Sequence, residues 1–170
     1  MLVTHSHDDH LDIEALNRLL ETNPGTPVIC DAASSGPLQD HGVTGRVVSD
    51  GDQLDLGASI RVYGRTHAVI HRDLPEVPNV GYLVDGQFFY AGDAFTVPNV
   101  TVAVLALPVD AVWMKFSEAV DYVRTVRPRV VVPVHDYHNL FAEWLYQLIE
   151  ELAPSGTAVK LLDSAHPIEV

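Results

Sequence analysis

The chain has 170 residues, of which 47% are hydrophobic, and this is enough to form one domain with a core. Ten basic and 23 acidic side chains give a formal net charge of −13, which argues against a protein that binds nucleic acid or an anionic membrane surface. Cys30 is the one cysteine, so no internal disulfide can form, and the sequence shows no signal peptide or long apolar run. We therefore expect a single domain over residues 1–170 in a reducing, cytoplasmic setting.

The segment THSHDDHLD, residues 4–12, concentrates three imidazoles and three carboxylates, which are common ligands of zinc and related divalent metals. His5 and His7 are two residues apart, so they point to the same side of an extended segment. Asp9 and His10 are adjacent and can face a second point where the chain turns towards a helix. This spacing suits two metal ions side by side better than one closed tetrahedral site.

The sequence on either side of this motif argues against a histidine-rich loop that is merely polar. Leu2-Val3 predict the end of a buried strand, and residues 11–20 have the periodicity of an amphipathic helix. Metal ligands between a strand end and a helix are typical of a site. Asn23-Pro24-Gly25 ends the helix. The next elements are predicted as strands at 27–31, 46–48 and 58–63 and a short helix at 38–42.

Two histidines follow the strand predicted at 58–63. His67 comes at the end of this strand, after Gly64-Arg65-Thr66, where it could be a metal ligand or an ordinary hydrogen-bonded histidine. His71 lies four residues further on, in an irregular stretch. We expect His71 to face the substrate or to support a ligand, and the alternative is that it is only exposed to solvent.

A β-hairpin is predicted from the apolar runs at 79–84 and 87–90, because the dipeptide Asp85-Gly86 between them is a strong turn signal. The second strand leads into Ala91-Gly92-Asp93. The small residues let the backbone approach its neighbours closely, and Asp93 then lies at the end of the sheet. Its two carboxylate oxygens suit a bridge between two cations, whereas an ordinary turn aspartate is the alternative.

The last part of the chain alternates strands with helices. Residues 100–108 are a continuous apolar run, which is typical of a strand covered on both faces. Ser117 is predicted to be the N-cap of the helix that follows, and Pro128 to end it. The remaining elements are predicted as a strand at 129–134 that ends at His135, a helix at 141–149 and a strand at 159–162.

Three residues of this region have open roles. Trp113 could form a pocket wall, and Lys115 could bind a phosphate or carboxylate of a substrate. A core tryptophan and a solvated lysine are the alternatives. His166 has no partner motif and stays unassigned.

Four segments are similar, in this order, to the signature of the metallo-β-lactamase fold superfamily of metal-dependent hydrolases. They are Thr4-His5-Ser6-His7-Asp8-Asp9-His10, Gly64-Arg65-Thr66-His67-Ala68, Tyr90-Ala91-Gly92-Asp93-Ala94 and Val132-Pro133-Val134-His135. Their style resembles the branch that contains L-ascorbate-6-phosphate lactonase. The resemblance implies an α/β fold, the four-layered αββα sandwich, with the site along one edge where loops follow strands.

The resemblance also implies a ligand set and a mechanism. His5, His7 and His67 would hold one metal ion, Asp9, His10 and His135 a second, and Asp93 would bridge them. Imidazole-rich sites suit zinc, and the carboxylates also allow manganese or iron. A water between the ions would lose a proton near neutral pH and act as the nucleophile, and Asp9 could shuttle a proton to the leaving group. The expected substrate is a small molecule with a lactone or phosphoester bond, and an anionic compound is one candidate.

The beginning of the chain leaves an alternative to catalysis. In this superfamily a strand pair normally precedes the motif, whereas Met1 lies four residues before His5. We therefore expect an N-terminally short domain whose first sheet has an open edge, and such an edge can pair with another chain. The alternative function is a non-catalytic metal-binding fragment or a module that self-associates into a homo-oligomer.

Overall fold

The computed structural model describes residues 1–136 and 140–162, so His166 lies outside the described residues. The helices are α1 (Ile13–Thr22), α2 (Ser35–Asp40), α3 (Phe116–Val126) and α4 (Ala142–Leu152). The strands are β1 (Val28–Cys30), β2 (Gly45–Val47), β3 (Gln53–Asp55), β4 (Ser59–Tyr63), β5 (Gly81–Val84), β6 (Phe88–Tyr90), β7 (Val104–Pro108), β8 (Val130–Val134) and β9 (Ala158–Val159). Among the described residues, no helix has the length and apolar character that a membrane span requires.

The strands form two sheets. Strands β3 to β9 make the larger sheet in sequence order, antiparallel from β3 to β6 and parallel from β6 to β9. Strands β1 and β2 pair in parallel, and Leu2 adds a parallel bridge to Ile29 of β1. The first residues of the chain therefore extend the smaller sheet.

The fold has four layers, because each sheet packs against the other sheet on one face and against helices on its other face. Ile29 of β1 packs with Tyr82 of β5 between the two sheets, whereas Cys30 packs with side chains of α1 and α2. In β5, Leu83 points away from Tyr82 and packs with side chains of α3 and α4. The order is helices, small sheet, large sheet, helices, and the predicted αββα fold class is confirmed.

Strand directions bring one edge of the large sheet next to the first residues of the chain. Strands β4 and β6 are both antiparallel to β5, and β6, β7 and β8 are parallel, so β4, β6 and β8 all end at the same edge. Strand β5 begins at this edge. The backbone N–H of Val80, just before β5, donates to the carbonyl oxygen of Thr4 at 2.9 Å, which places the next residue, His5, beside these strand ends.

Two helix starts differ from the predicted ones because of capping. Helix α1 begins at Ile13 and not at residue 11, since the Asp12 carboxylate accepts a hydrogen bond from a backbone N–H of the first turn at 2.9 Å. The prediction that Ser117 is the N-cap of α3 is wrong. That helix begins at Phe116, two residues before the predicted start, and its N-cap is Lys115, whose backbone N–H donates to the Glu118 carboxylate at 2.6 Å.

Two predicted strands are shorter than the apolar runs that suggested them. Strand β7 begins only at Val104, although all five of its residues are buried as predicted. Strand β9 ends at Val159 instead of residue 162. The predicted hairpin between β5 and β6 is confirmed, and both turn residues have the positive φ that this turn requires, 50° at Asp85 and 65° at Gly86.

Candidate metal centre

All seven side chains that the sequence suggested as metal ligands meet at this edge of the large sheet. They are His5, His7, Asp9, His10, His67, Asp93 and His135. The last three follow β4, β6 and β8, and the first four follow the segment that pairs with β1. His5, His67 and Asp93 are buried, whereas the Asp9 side chain is 61% exposed and forms the outer rim.

The possible ligand atoms form three sets, and within each set all the atoms lie within 4.8 Å of one another. They are His5, His7 and His67; His5, His10 and Asp93; and Asp9, His10 and His135. The first and third sets are the two groups that the sequence suggested, and the second set connects them. Within the first set, His5 Nε2 lies 3.1 Å from His7 Nδ1, a contact that requires a hydrogen or a cation between the two nitrogen atoms.

Asp93 lies between histidines of both groups. Its Oδ1 is 3.1 Å from His10 Nε2, and its Oδ2 is 3.4 Å from His67 Nε2 and 3.3 Å from His135 Nε2. These contacts are not aligned as hydrogen bonds. The three Nε2 atoms and Asp93 Oδ1 are buried without a hydrogen-bond partner among the described residues. Leaving such an atom unpaired costs about 1–3 kcal/mol. Four unpaired lone-pair atoms that face one another fit a bound cation.

The opposite ring nitrogens explain why the Nε2 atoms point inwards. His67 Nδ1 lies 2.5 Å from the carbonyl oxygen of Ala68, and His135 Nδ1 lies 2.6 Å from that of Asp110. A carbonyl can only accept, so Nδ1 carries a hydrogen in both rings, and in the neutral form of each ring the free lone pair is on Nε2. This is the usual arrangement behind a metal-binding histidine.

The ionisable side chains of the site shift the pKa values of one another. Burial alone would raise the pKa of Asp93, but the contacts with His10, His135 and His67 lower it below its usual range. The Asp93 carboxylate raises the pKa of His135 to about 9. Burial, with further repulsion from His10, lowers the pKa of His5 to about 3, so this ring stays neutral. A neutral imidazole and an ionised carboxylate are the forms that bind metal ions.

Asn79 supports the turn that carries Asp93, and the sequence patterns did not single it out. Its side chain is fully buried, donates to the carbonyl oxygen of Ala91 at 2.8 Å, and accepts from the backbone N–H of Asp93 at 3.1 Å. Gly92 makes this possible, because it has a φ of 65° and a Cβ there would lie 2.2 Å from Asn79 Oδ1. The sequence signal for this role was an amide side chain at the start of an apolar run.

The three residues expected on the substrate side have different surroundings. The Trp113 Nε1–H donates to Asp93 Oδ2 at 2.8 Å, so this ring lies directly behind a candidate ligand. His71 is exposed, 3.6 Å from Asp73, in the loop between β4 and β5. Lys115 is exposed at the start of α3, and within the described residues no hydrogen bond or ion pair joins its side chain to the seven candidate ligands.

Known proteins share this fold. The crystal structure of Igni18, a metallo hydrolase from Ignicoccus hospitalis, matches with a TM-score of 0.67 and 24% identity over 95% of this chain and 75% of its own. The metallo-beta-lactamase fold protein YhfI from Bacillus subtilis matches with a TM-score of 0.69 and 18% identity, over 96% of this chain and 74% of its own. At these identities the similarity shows the fold.

The sequence comparisons show the family as well as the fold. The protein Rv0786c of Mycobacterium tuberculosis is 43% identical over 141 residues, which are 79% of this chain and 65% of that protein, so the chain spans about two thirds of this relative's length. The family described as Beta-lactamase superfamily domain matches residues 1–135. Because this match covers most of the chain and includes all seven candidate ligands, the chain belongs to the beta-lactamase superfamily domain family.

Proposed function

We propose that this protein is a hydrolase that depends on two divalent metal ions and cleaves a lactone or phosphoester bond, as the lactonase-like style of its motifs suggests. One observation carries the proposal. Seven side chains of the types that bind metal ions converge at one edge of the sheet, and buried lone-pair atoms among them have no hydrogen-bond partner within the described residues. A structural role for these histidines would predict satisfied rings, which is the usual state of buried polar groups.

The proposed ligand assignment divides the site into two halves. His5, His7 and His67 would hold one ion, and Asp9, His10 and His135 the other. Asp93 would bridge the two, since it lies within 3.4 Å of histidines from both groups. Five imidazoles and two carboxylates favour zinc, with manganese or iron as further candidates.

When bound at such a site, two divalent ions would supply a nucleophile by lowering the pKa of water and would polarise the bond to be cleaved. Backbone groups and side chains of this protein would hold the metal ligands in position. The carbonyl oxygens of Ala68 and Asp110 hold the rings of His67 and His135 with Nε2 inwards. Asp9 is the most exposed of the seven, and its Oδ2 lies 3.3 Å from His135 Nε2, so it is the carboxylate best placed to pass a proton to a leaving group at the rim.

The direct test is metal content together with turnover. Elemental analysis of the purified protein should find up to two metal ions per chain, and removal by a chelator should abolish hydrolysis of lactones or phosphodiesters. Adding zinc or manganese back should restore both. A protein that neither contains nor takes up metal would end the proposal. A protein that binds two ions stably but hydrolyses neither class would instead be the non-catalytic metal-binding module.

Trp113→Phe should weaken metal binding with little effect on folding. The Nε1–H bond to Asp93 Oδ2 holds the orientation of the proposed bridge, and phenylalanine keeps the ring packing against Phe95 while it removes this donor. We expect metal affinity to fall by roughly tenfold to a hundredfold. Competition with a coloured chelator measures the affinity, and thermal unfolding of the metal-free protein measures the stability.

The matched control for this variant is Trp144→Phe, because Trp144 is an exposed residue on α4. It should leave metal affinity unchanged. Unchanged affinity in Trp113→Phe as well would show that the tryptophan only fills space.

A further inference from the structure

A pocket of about 480 Å³ adjoins the candidate metal centre. The loop between β4 and β5 forms most of its wall, from Thr66 to Val77, and His7 forms the facing side. Its volume lies in the range of about 300–1,000 Å³ that is usual for sites that bind small molecules. The pocket is therefore large enough for a substituent of a small substrate.

The wall of this pocket is apolar although the side chains are exposed. Val69 is 70% exposed and Leu74 is 54% exposed, and Ile70 lies between them on the same loop. Apolar side chains that stay in water at a shared surface usually mark a binding site. Binding an apolar group there is favourable, because it removes these side chains from water.

The pocket and the metal centre share two residues. His7 and His67 line the pocket, and both belong to the first proposed set of ligands. A molecule whose apolar end fills the pocket therefore has its adjoining bond at the metal centre. This continuity distinguishes the pocket from an apolar patch elsewhere on the surface.

The charges around the pocket do not provide a site for a phosphate. His71, Arg72 and Glu76 line it, so one fixed positive charge is balanced by one negative charge. Arg72 Nε lies 3.7 Å from a carboxylate oxygen of Asp73. His71 is close to the other oxygen of the same carboxylate, at 3.6 Å. The chain as a whole carries a formal charge of −13, which repels anions at long range.

We infer that this pocket binds the apolar substituent of a neutral carboxylic ester or lactone, and that the protein therefore prefers such substrates to anionic phosphoesters. The inference rests on the proposed hydrolase function and specifies its substrate class. Val69, Ile70 and Leu74 are its specificity-determining residues, and none of them is a metal ligand.

The test is a series of γ-lactones whose alkyl substituent grows from methyl to pentyl, with bis(4-nitrophenyl) phosphate as the anionic comparison. Each added methylene should raise kcat/KM by roughly twofold to fourfold until the pocket is full. Leu74→Ser should flatten this dependence, so that the values of kcat/KM for the methyl and pentyl compounds become similar. The control is Leu56→Ser, since Leu56 is 38% exposed in the turn at the other end of β4, and it should keep the full dependence.

Three kinetic outcomes would overturn the inference. They are a rate that does not depend on chain length in the wild type, an equal dependence in Leu74→Ser and the control, and a preference for the phosphodiester. A dimer that Leu74→Ser converts into a monomer would also overturn it, because a second copy of the chain would then cover the wall. Light scattering at several protein concentrations detects that case.

A separate binding measurement keeps the inference distinct from the proposed function. If neither the lactones nor the phosphodiester is hydrolysed, the hydrolase proposal fails, and NMR then reports whether the pentyl lactone still shifts the methyl signals of Val69, Ile70 and Leu74. Shifts that disappear in Leu74→Ser but persist in Leu56→Ser would support the pocket as a ligand site. The absence of shifts in the wild type would rule it out.

Discussion

Asp93→Ala should remove both metal ions and lower hydrolytic activity by roughly a hundredfold or more, a larger loss than any other single ligand change. The reason is position. Asp93 contacts His10, His67 and His135 within 3.4 Å, so it belongs to both halves of the proposed site. Elemental analysis after dialysis gives the metal content, and steady-state kinetics give the activity.

His135→Ala is the matched comparison, because this residue belongs to one half only. It should lose mainly the second ion, since His5, His7 and His67 remain for the first. Full metal content and full activity in Asp93→Ala would show that the bridging assignment is wrong. Loss of both ions in both variants would show that the two halves do not bind independently.

The metal-free protein offers a check that does not depend on activity. The Asp93 carboxylate raises the pKa of His135 from its ordinary 6.5 to about 9. In Asp93→Asn this carboxylate is absent, so the pKa of His135 should fall towards 6.5, and the ring should lose its proton at a lower pH. An NMR titration of the His135 ring signals measures this, and an unchanged pKa would mean that Asp93 does not face the ring in solution.

Gly92→Ala should destabilise the protein and disrupt the site together. The φ of 65° costs alanine about 1–2 kcal/mol. The new Cβ would lie 2.2 Å from Asn79 Oδ1 and 2.8 Å from Thr4 Cβ, and overpacking of this kind costs typically 1–3 kcal/mol more. Asn79 must then move, and the hydrogen bond that its Oδ1 accepts from the backbone N–H of Asp93 would be lost. Chemical unfolding of the metal-free protein should show a loss of about 2–5 kcal/mol, and metal affinity should fall as well.

Gly86→Ala separates the two contributions. Gly86 has the same φ of 65°, but nothing lies within 4 Å of a Cβ placed there. This variant should show only the cost of backbone strain, about 1–2 kcal/mol, and should keep its metal affinity. Equal losses in the two glycine variants would mean that the contact between Gly92 and Asn79 does not support the site.

Local sequence pattern was sufficient for the features that depend on neighbouring residues. The periodicity after the first histidines predicted α1, and Asp85-Gly86 predicted the hairpin whose turn has the required positive φ values. The order of four short motifs also indicated the αββα fold, which the arrangement of the two sheets confirms. Boundaries were less certain, because a single cap such as Asp12 moves a helix start by two residues.

Residues far apart in sequence were grouped by the resemblance, and their distances depend on the tertiary structure alone. His67, Asp93 and His135 meet because β4, β6 and β8 run in the same direction and end at one edge. The roles of Asn79 and Trp113 behind Asp93, and the pocket beside His7, also require this packing. Periodicity and spacing describe how one segment faces its surroundings, whereas these contacts arise between segments that only the pairing of strands brings together.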